Sequence, residues 1–319
     1  MKLGGTLAQS LKISNGIYKK GIIAFSEFRN LSKKLQADLE EVFATGIFYP
    51  EHTETSLDNT EKYLYVNNKG QKFESVYIPD KNRHTICVST QSGCRMGCPF
   101  CATGKYGFYG NLSAGDIVNQ LTGTPHAGKI NHVVFMGMGE PMDNLDNVLK
   151  ACEILTAEWG KALSARNITV STVGITPGIR RFLAESDCNL TVSLFTPFFA
   201  ERKKIVPAEK KYPVEEIIGM LRNATLKKKR RITFSYVMLH GVNDTDAHLS
   251  EMKKLFSGSG IRINLLPYHP LRNDKHVSST AERMQYYKHQ LVTSGISASI
   301  RKSRGSDISA ACGLLASGL

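Results

Sequence analysis

Residues 91–103 read Q-S-G-C-R-M-G-C-P-F-C-A-T, and this short stretch decides how the rest of the chain is interpreted. It contains three thiols, Cys94, Cys98 and Cys101, which a tight loop can direct towards one soft metal centre. A closed tetrahedral zinc site takes four protein ligands, and a 4Fe–4S cluster bound only by protein takes four thiolates. Because the loop supplies three, it predicts a cluster with one iron atom free to bind a further ligand.

Two other interpretations of the cysteines stay open from the residues alone. A zinc site could recruit Cys87 as a fourth ligand, although Cys87 lies in the extended run T-I-C-V-S and not in a knuckle-like pair. Such a site would belong to a zinc-stabilised RNA-binding protein without catalytic activity. Alternatively, the cysteines could be small hydrophobic core residues, which is the interpretation we give to Cys152 and Cys188.

The composition indicates a globular protein with a polyanionic partner. The 319 residues are 41% apolar, and 41 Lys and Arg against 28 Asp and Glu give a net charge of +13. Such an excess suits nucleic acid, because phosphate contacts and counterion release give affinity without sequence preference. Several basic runs contribute, although each run by itself is typical of a solvated face. The runs are residues 203–204, 210–211, 227–231 and 301–304.

The chain lacks the signals of secretion and membrane insertion. Its first residues, M-K-L-G-G-T-L-A-Q-S, include no apolar leader, and no later window approaches the roughly 18 apolar residues of a membrane span. Seven cysteines, an odd number that is unevenly spaced, argue against a disulfide framework and for a reducing compartment. We therefore expect a cytoplasmic protein that is not bound to a membrane and is a monomer.

Short β-rich runs alternate with helical patterns from His84 onward, which predicts an α/β fold. The strands are predicted at residues 84–89, 131–136, 167–172, 189–194, 232–238, 261–266 and 296–301. The helices are predicted at residues 113–122, 145–158, 177–185, 213–226, 247–257 and 279–294. Ser113 and Asp116 form a capping-box pattern at the start of the first helix. Repeated strand–helix units imply a parallel sheet, closed or partly closed into a barrel, with its chemistry at the carboxyl ends of the strands.

Two smaller units precede this core. Residues 9–45 read as helices with apolar residues at helical spacing, so residues 1–60 are predicted to form a small helical N-terminal domain. The runs K-Y-L-Y-V and F-E-S-V-Y-I flank N-N-K-G-Q-K, which predicts a β-hairpin extension with Gly70 in its turn within residues 61–83. Residues 84–319 then form the core domain.

Polar features follow several of the predicted strands, where a barrel of this kind carries its site. The cysteine loop follows the first strand. Residues 137–141, G-M-G-E-P, follow the second strand. Their glycines leave a backbone that a ligand can approach closely, and Glu140 can accept a hydrogen bond from an ammonium group. Ser171, Ser193 and Asn264 close the third, fourth and sixth strands. A single glycine turn or serine is more often structural, but five such features on one rim indicate a ligand site.

Together these motifs resemble one known family. V-S-T-Q-S-G-C-R-M-G-C-P-F-C-A-T-G, F-M-G-M-G-E-P, V-S-T-V-G, Y-V-M-L-H-G-V-N-D, I-N-L-L-P-Y and R-G-S-D-I-S-A-A-C-G are similar to the radical S-adenosylmethionine (SAM) adenine methyltransferases of ribosomal RNA, the RlmN and Cfr enzymes. The similarity extends over most of the chain and is closer to RlmN. It implies a partial (β/α)6, TIM-like radical-SAM barrel in which SAM is the further ligand of the cluster.

The resemblance also implies a role for each candidate residue. The ligands of the 4Fe–4S cluster would be Cys94, Cys98 and Cys101. The SAM site would be lined by Gly139, Glu140, Ser171, Ser193, Leu194, Phe195 and Asn264. Cys312, in D-I-S-A-A-C-G, would carry the methyl group, with Cys87 as its partner thiol and Glu74 as the proton acceptor. From the residues alone, Cys312 would be interpreted as a buried small hydrophobe.

The reaction that the resemblance implies is methylation of an unreactive ring carbon of adenosine. The substrate would be 23S ribosomal RNA at carbon 2, with transfer RNA as a further substrate and carbon 8, as in Cfr, as the alternative. One SAM would methylate the cysteine, and a second, cleaved at the cluster, would yield the radical that activates this methyl group. A flavodoxin or ferredoxin would donate electrons. Phe195 stands where the family commonly has His, so its side chain cannot hydrogen-bond to SAM.

Overall fold

The computed structural model describes residues 5–224, 230–271, 274–316 and 318–319. Its helices are α1 (Leu7–Lys20), α2 (Lys33–Val42), α3 (Ala102–Tyr106), α4 (Ala114–Thr122), α5 (Leu145–Thr156), α6 (Thr176–Glu185), α7 (Phe199–Ile205), α8 (Val214–Arg222), α9 (Asp246–Phe256) and α10 (Ala281–Thr293). Its strands are β1 (His52–Thr55), β2 (Glu61–Val66), β3 (Lys72–Asp80), β4 (Arg83–Cys87), β5 (Gln91–Gly93), β6 (Phe108–Asn111), β7 (His132–Phe135), β8 (Ile168–Thr172), β9 (Asn189–Ser193), β10 (Ile232–Met238), β11 (Arg262–Pro267) and β12 (Ala298–Ile300). Of the predicted basic run 227–231, residues 227–229 lie outside the described residues.

Ten strands form one sheet in the order β1-β2-β3-β4-β7-β8-β9-β10-β11-β12. The neighbours from β4 to β12 run parallel, and β1 to β4 run antiparallel. β5 and β6 pair separately. The parallel strands are the ones that were predicted from residue 84 onward, and helices connect each strand to the next. The predicted α/β fold with a parallel sheet is therefore confirmed.

The parallel part of the sheet is curved but open. Arg83 on β4 and Arg231 beside β10 interact electrostatically although β7, β8 and β9 lie between their strands. In a flat sheet, four strand spacings would hold the two backbones about 19 Å apart. Among the described residues the edge strands β1 and β12 do not pair with each other. The sheet is therefore a partial barrel, as predicted.

Alternate residues of each parallel strand face opposite sides of the sheet, which separates the core from the ligand space. One set is apolar and packs beneath the helices: Ile86, Val133, Val170, Leu190, Phe234 and Ile263. The other set lines an inner cavity of about 810 Å³: Thr85, Val134, Thr169, Thr191, Thr233 and Asn264. The inner face of the barrel is therefore mostly polar and open to a ligand.

The residues that were expected to start helices or form turns do so in the structure. Ser113 caps α4, with its hydroxyl accepting from the Asp116 N–H while the Asp116 carboxylate accepts from the Ser113 N–H. Pro213 directly precedes α8. Gly70 adopts a φ of +72° in the turn between β2 and β3, so the predicted hairpin is present. Helix α7 was not predicted, because no side chain caps its start beside Phe198.

The N-terminal helices have a small apolar cluster of their own. Phe25, Phe28, Leu31 and Leu39 are buried in it. Strand β1 was not predicted, although it lies within residues 1–60, because H-T-E-T is polar and almost fully exposed, as is typical of an edge strand. The division of the chain into domains stays a prediction. In the described ranges, no helix is both long and apolar enough to cross a membrane.

Candidate active site

The cysteine loop connects β5 with α3 at the carboxyl end of the parallel strands. The backbone N–H of Cys94 donates to the carbonyl of Gly107 at 2.7 Å, and that of Cys101 donates to the carbonyl of Cys98 at 3.2 Å. All three cysteines are free thiols of intermediate burial. The loop is thus anchored to β6 at one end and folded into a turn at the other, which holds the three sulfur atoms in one region.

Two of the three thiols hold their protons while no cation is bound. Burial, with smaller contributions from the nearby Glu140 and Cys101, raises the pKa of Cys94 to about 12. Burial also raises the pKa of Cys98, as do Cys101 and Cys94. A cation that binds the sulfurs removes this penalty, because metal-bound cysteine is deprotonated.

A 4Fe–4S cluster and a single zinc ion require different arrangements of the ligand atoms. Over the described part of the chain, no group of three or more His, Cys, Asp or Glu side chains is arranged to hold one metal ion. A zinc site would need its ligands to converge on one atom, whereas each thiolate of a 4Fe–4S cluster binds a different iron.

Phe195 packs on the cysteine loop. Its ring stacks on Phe100, with centroids 4.7 Å apart and an interplanar angle of 26°. Its backbone has a φ of +65°, which is uncommon for a residue other than Gly, and Asn243 Nδ2 donates to its carbonyl at 2.6 Å. The position where the family commonly has His is therefore used for an apolar contact with the loop between Cys98 and Cys101.

Gly139 and Glu140 form the turn after β7. A Cβ atom on Gly139 would stand 2.6 Å from Gln91 Cβ, and the φ of Gly139 is +95°, so only glycine fits. Glu140 is buried, and its carboxylate accepts from Thr172 Oγ1 at 2.5 Å and from the Val173 N–H at 2.8 Å. These bonds fix the carboxylate against the end of β8 and leave lone pairs that can accept from an ammonium group.

Glu140 is expected to make the free energy of unfolding depend on pH. Burial raises the pKa of Glu140 from 4.5 to about 7, although the hydrogen bonds from Thr172 and Val173 oppose the shift. Between these two pH values the folded protein keeps a proton that the unfolded chain has lost. The contribution of Glu140 to the free energy of unfolding therefore decreases as pH rises through this window and stays constant above it.

Chemical unfolding between pH 4.5 and 8 measures this effect. We expect Glu140→Gln to remove about 3 kcal/mol of pH-dependent change, because one pKa unit corresponds to about 1.4 kcal/mol. Glu153→Gln, on the exposed face of α5, is the matched control and should leave the pH dependence unchanged. Equal slopes for Glu140→Gln and the parent would contradict the raised pKa.

The C-terminal segment runs across the cysteine loop. The Gly313 carbonyl accepts from the Ala102 N–H at 2.8 Å, and the Leu315 carbonyl accepts from Thr103 Oγ1 at 2.9 Å. Ala102 directly follows the last candidate cluster ligand in the chain. These bonds therefore hold the exposed Cys312 beside the loop, although more than 200 residues separate them in sequence.

Glu74 holds the same segment from the other side. Its buried carboxylate accepts from the Ala316 N–H at 2.7 Å and lies 3.4 Å from Lys62 Nζ. Lys62 also pairs with Glu54 at 3.0 Å. The carboxylate of Glu74 is thus fixed between a strand of the hairpin and the residues that follow Cys312.

Cys87 ends β4 and faces Cys312. Burial, with a smaller contribution from the nearby Cys312, raises the pKa of Cys87 to about 12, and the Arg301 guanidinium opposes the shift. A thiol with this pKa holds its proton at neutral pH. Cys312 also lines the inner cavity, as does Asn264. The structure therefore brings Cys87, Cys312, Glu74 and the cysteine loop together.

Of the remaining predicted cofactor residues, Ser171, Ser193 and Leu194 lie at or next to the carboxyl ends of the neighbouring strands β8 and β9. Asn264 was predicted to close its strand, but it is the third of the six residues of β11, which continues to Pro267. Ser171 is half-buried on β8, and Ser193 is the last residue of β9. Leu194 is fully buried, whereas Asn264 is half-buried and its Oδ1 accepts from Ser299 Oγ at 2.7 Å. Ser171 and Ser193 share one rim with Glu140, because the carboxylate of Glu140 is bonded to the residues that follow Ser171.

Arg202 was not predicted, and it holds two strand ends of this rim together. Its Nε donates to the Leu194 carbonyl at 2.8 Å, and its Nη2 donates to the carbonyls of Val173 and Ser193 at 2.8 and 2.7 Å. Its Nη1 pairs with Glu209, and both side chains are fully buried. Arg202 therefore fixes the backbone that presents three predicted cofactor contacts.

Comparisons with known proteins agree with this site. Residues 88–252 match the family model of the Radical SAM superfamily. The "Probable dual-specificity RNA methyltransferase RlmN" of Phocaeicola vulgatus is 44% identical over 304 residues, which cover 95% of this chain and 87% of the relative. The "Dual-specificity RNA methyltransferase RlmN" of Syntrophotalea carbinolica is 39% identical over 305 residues, which cover 95% of this chain and 82% of the relative.

A solved structure gives the same result for the fold. The crystal structure of a radical SAM methyltransferase from Sphaerobacter thermophilus matches with a TM-score of 0.91 and 36% identity, covering 97% of this chain and 93% of that chain. Radical SAM enzymes use a 4Fe–4S cluster and SAM, and the three-cysteine loop fits this cluster. The chain therefore belongs to the Radical SAM superfamily and, within it, to the family of RlmN-type RNA methyltransferases.

Proposed function

We propose that this enzyme transfers a methyl group from SAM to carbon 2 of an adenosine in 23S ribosomal RNA, and of an adenosine in transfer RNA, by way of a methylated Cys312. The observation that carries the proposal is the position of Cys312, which is held beside the cysteine loop and close to Cys87. The names of the curated relatives, dual-specificity RNA methyltransferases, support more than one substrate.

The chain's own residues would bind and orient both cofactors. The cluster would be held by Cys94, Cys98 and Cys101, each through a different iron atom. Glu140 would accept from the amino group of SAM, and Phe195 would pack against the adenosine. The other SAM contacts would be Gly139, Ser171, Ser193, Leu194 and Asn264. When bound, the cluster and SAM supply the methyl group and the radical that removes a hydrogen atom from it.

Cys312 would carry the methyl group on its sulfur, which loses its proton in exchange. Its exposure allows it to present the activated carbon to an adenine ring. Glu74, fixed beside the segment that follows Cys312, would accept the proton that leaves the ring. Once the ring adduct had returned its odd electron to the bound cluster, the sulfur of Cys87 would attack the sulfur of Cys312. The bond between that sulfur and the transferred carbon would break, the proton of Cys87 would pass to the carbon to complete the methyl group, and a Cys87–Cys312 disulfide would remain, to be reduced by the electron donor. Because burial raises the pKa of Cys87, its thiol keeps its proton until this step.

The partners follow from charge and cysteine chemistry. The net charge of +13 supports RNA binding, and we assign part of the contact to the N-terminal residues 1–60. Reduced flavodoxin or ferredoxin would supply the electrons for SAM cleavage. Free cysteines fit a reducing cytoplasm, where we infer that the enzyme acts as a monomer.

Mass spectrometry of nucleosides tests the proposed reaction. The protein, reconstituted anaerobically with its cluster, is incubated with SAM, a reductant and either 23S ribosomal RNA or transfer RNA lacking the modification. We expect 2-methyladenosine in both RNAs, identified against authentic 2-methyl and 8-methyl standards. Recovery of 8-methyladenosine would overturn the choice of carbon. Unmethylated RNA after incubation with a cluster-loaded protein would overturn the function itself.

A further inference from the structure

Four arginines stand at the amino ends of the parallel strands, opposite the cysteine loop. Arg83 and Arg262 are the first residues of β4 and β11, Arg231 directly precedes β10, and Arg166 lies two residues before β8. All four side chains are exposed, and all four line the inner cavity. We call these four residues the amino-end arginines.

Among the described residues, Arg166, Arg231 and Arg262 form no ion pair with an acidic side chain, whereas the charge of Asp80, the cross-strand neighbour of Arg83, acts on Arg83. Of the described residues that line the cavity, Asp80 alone is acidic, and its carboxylate lies 3.7 Å from Arg304. The like charges also act on one another: burial, followed by the charge of Arg301, lowers the pKa of Arg83, Asp80 opposes this shift, and the charge of Arg231 adds to it. Unpaired positive charges at one opening cost free energy, which a bound anion would offset.

The cavity connects the amino-end arginines with the candidate methyl carrier. It has a volume of about 810 Å³ and is lined by Arg231 and Arg262 at one end and by Cys312 near the other. Short polar side chains such as Thr169 and Thr191 line the wall between the two ends. A cavity of this size accommodates a ligand as large as a nucleotide.

We propose that the amino-end arginines bind backbone phosphates of an unpaired RNA segment while the target adenosine of that segment lies against Cys312. This inference rests on the proposed function. It adds that the RNA is unpaired and that it enters the cavity at the amino ends of the strands. A guanidinium group can donate two parallel hydrogen bonds to one phosphate. Arginines at the opening of the cavity would therefore contact the RNA backbone where it enters.

The RNA must be unpaired at this point because its base lies inside the barrel. Enzymes that modify a base act on single-stranded nucleic acid or turn the base out of its stack. A rigid double helix cannot follow the base into a cavity of this size. The polar wall suits the ribose and the base edges, since hydroxyl and amide side chains can both donate and accept.

Binding measurements on the reconstituted holoenzyme test the inference. The probes are a hairpin RNA with the target adenosine in its loop and the same sequence closed into a duplex. The variant is Arg231→Gln with Arg262→Gln, and the control is Arg180→Gln with Arg222→Gln, which removes two exposed arginines from the outer helices α6 and α8. Affinity is measured as a function of salt concentration, together with KM and kcat for methylation.

We expect the double variant to bind the hairpin RNA roughly tenfold more weakly for each arginine removed. Its dependence of log K on log salt should become less steep by about 1.4, since each phosphate contact to a single strand contributes about 0.7. KM should rise while kcat at saturating RNA is retained. The cluster absorbance should equal that of the parent, which shows that the fold is intact.

Three results would overturn the inference: an unchanged salt slope in the double variant, an equal loss in the control, or a duplex that binds as tightly as the hairpin. The proposed function can be refuted separately from this inference. RNA that is bound in an arginine-dependent way but never methylated would refute the function and leave this inference standing. Methylation by the double variant with an unchanged KM would refute this inference and leave the proposed function standing.

Discussion

Replacing Cys312 with alanine is expected to abolish RNA methylation while leaving the cluster in place. Cys312 is exposed and forms no part of the three-cysteine loop, so its removal costs the fold little. If its sulfur carries the methyl group, the variant has no atom that can deliver the carbon. The product should fall below detection, measured as radioactive methyl transferred from SAM to RNA, while the absorbance of the reconstituted cluster matches that of the parent.

Cys188→Ala is the control for this experiment. Cys188 is buried and is not assigned to the site, so its variant should keep its cluster and methylate RNA at the parental rate after correction for folded protein. Multiple turnovers by Cys312→Ala would refute the carrier role. A colourless Cys312→Ala protein would instead show that Cys312 takes part in binding the cluster, which also contradicts the proposal.

Arg202→Met is expected to lower the free energy of unfolding by about 3–5 kcal/mol, the usual cost of breaking a buried ion pair by removing one partner. Arg202 and Glu209 are both fully buried. Without the arginine, the hydrogen bond from the Val214 N–H, at 3.0 Å, is the one that Glu209 keeps among the described residues. The carbonyls of Ser193 and Leu194 lose their donor at the same time. Urea unfolding of the protein without cofactors measures the loss.

Two companion variants isolate the ion pair. Lys203→Met changes the next residue, which is exposed, and should alter the free energy of unfolding by no more than about 0.5 kcal/mol. Arg202→Met combined with Glu209→Leu removes both charges and should be more stable than Arg202→Met alone, because no unpaired charge stays buried. A loss below about 1 kcal/mol for Arg202→Met would show that water solvates the pair, which contradicts this prediction.

The parts of the site that are close together in sequence could be predicted from sequence. The cysteine loop and the turn at Gly139 and Glu140 each lie within a few residues, so their spacing alone restricts their geometry. The strand–helix alternation then placed both at the carboxyl ends of the strands, because parallel strands all end on one side. Cys312 is different: only the family resemblance singled it out, since nothing in A-A-C-G-L-L distinguishes an exposed thiol from a buried one.

The arginines show where sequence patterns fail. In E-R-K-K, Arg202 cannot be told from the exposed Lys203 and Lys204 beside it, yet it is fully buried. Its burial depends on three carbonyls that β8 and β9 bring together, and this arrangement exists only after the strands have paired. The amino-end arginines are scattered over 180 residues and form a group only because the sheet curves.

The length of the parallel strands has a consequence for how such an enzyme can diverge. β10 has 7 residues, so its two ends are roughly 20 Å apart. At that distance a substitution at one end alters neither the packing nor the local electrostatics of the other. On the proposed path of the RNA, substitutions at the strand starts can therefore change which RNA is bound while the residues at the strand ends, which hold the cofactors, are left unchanged.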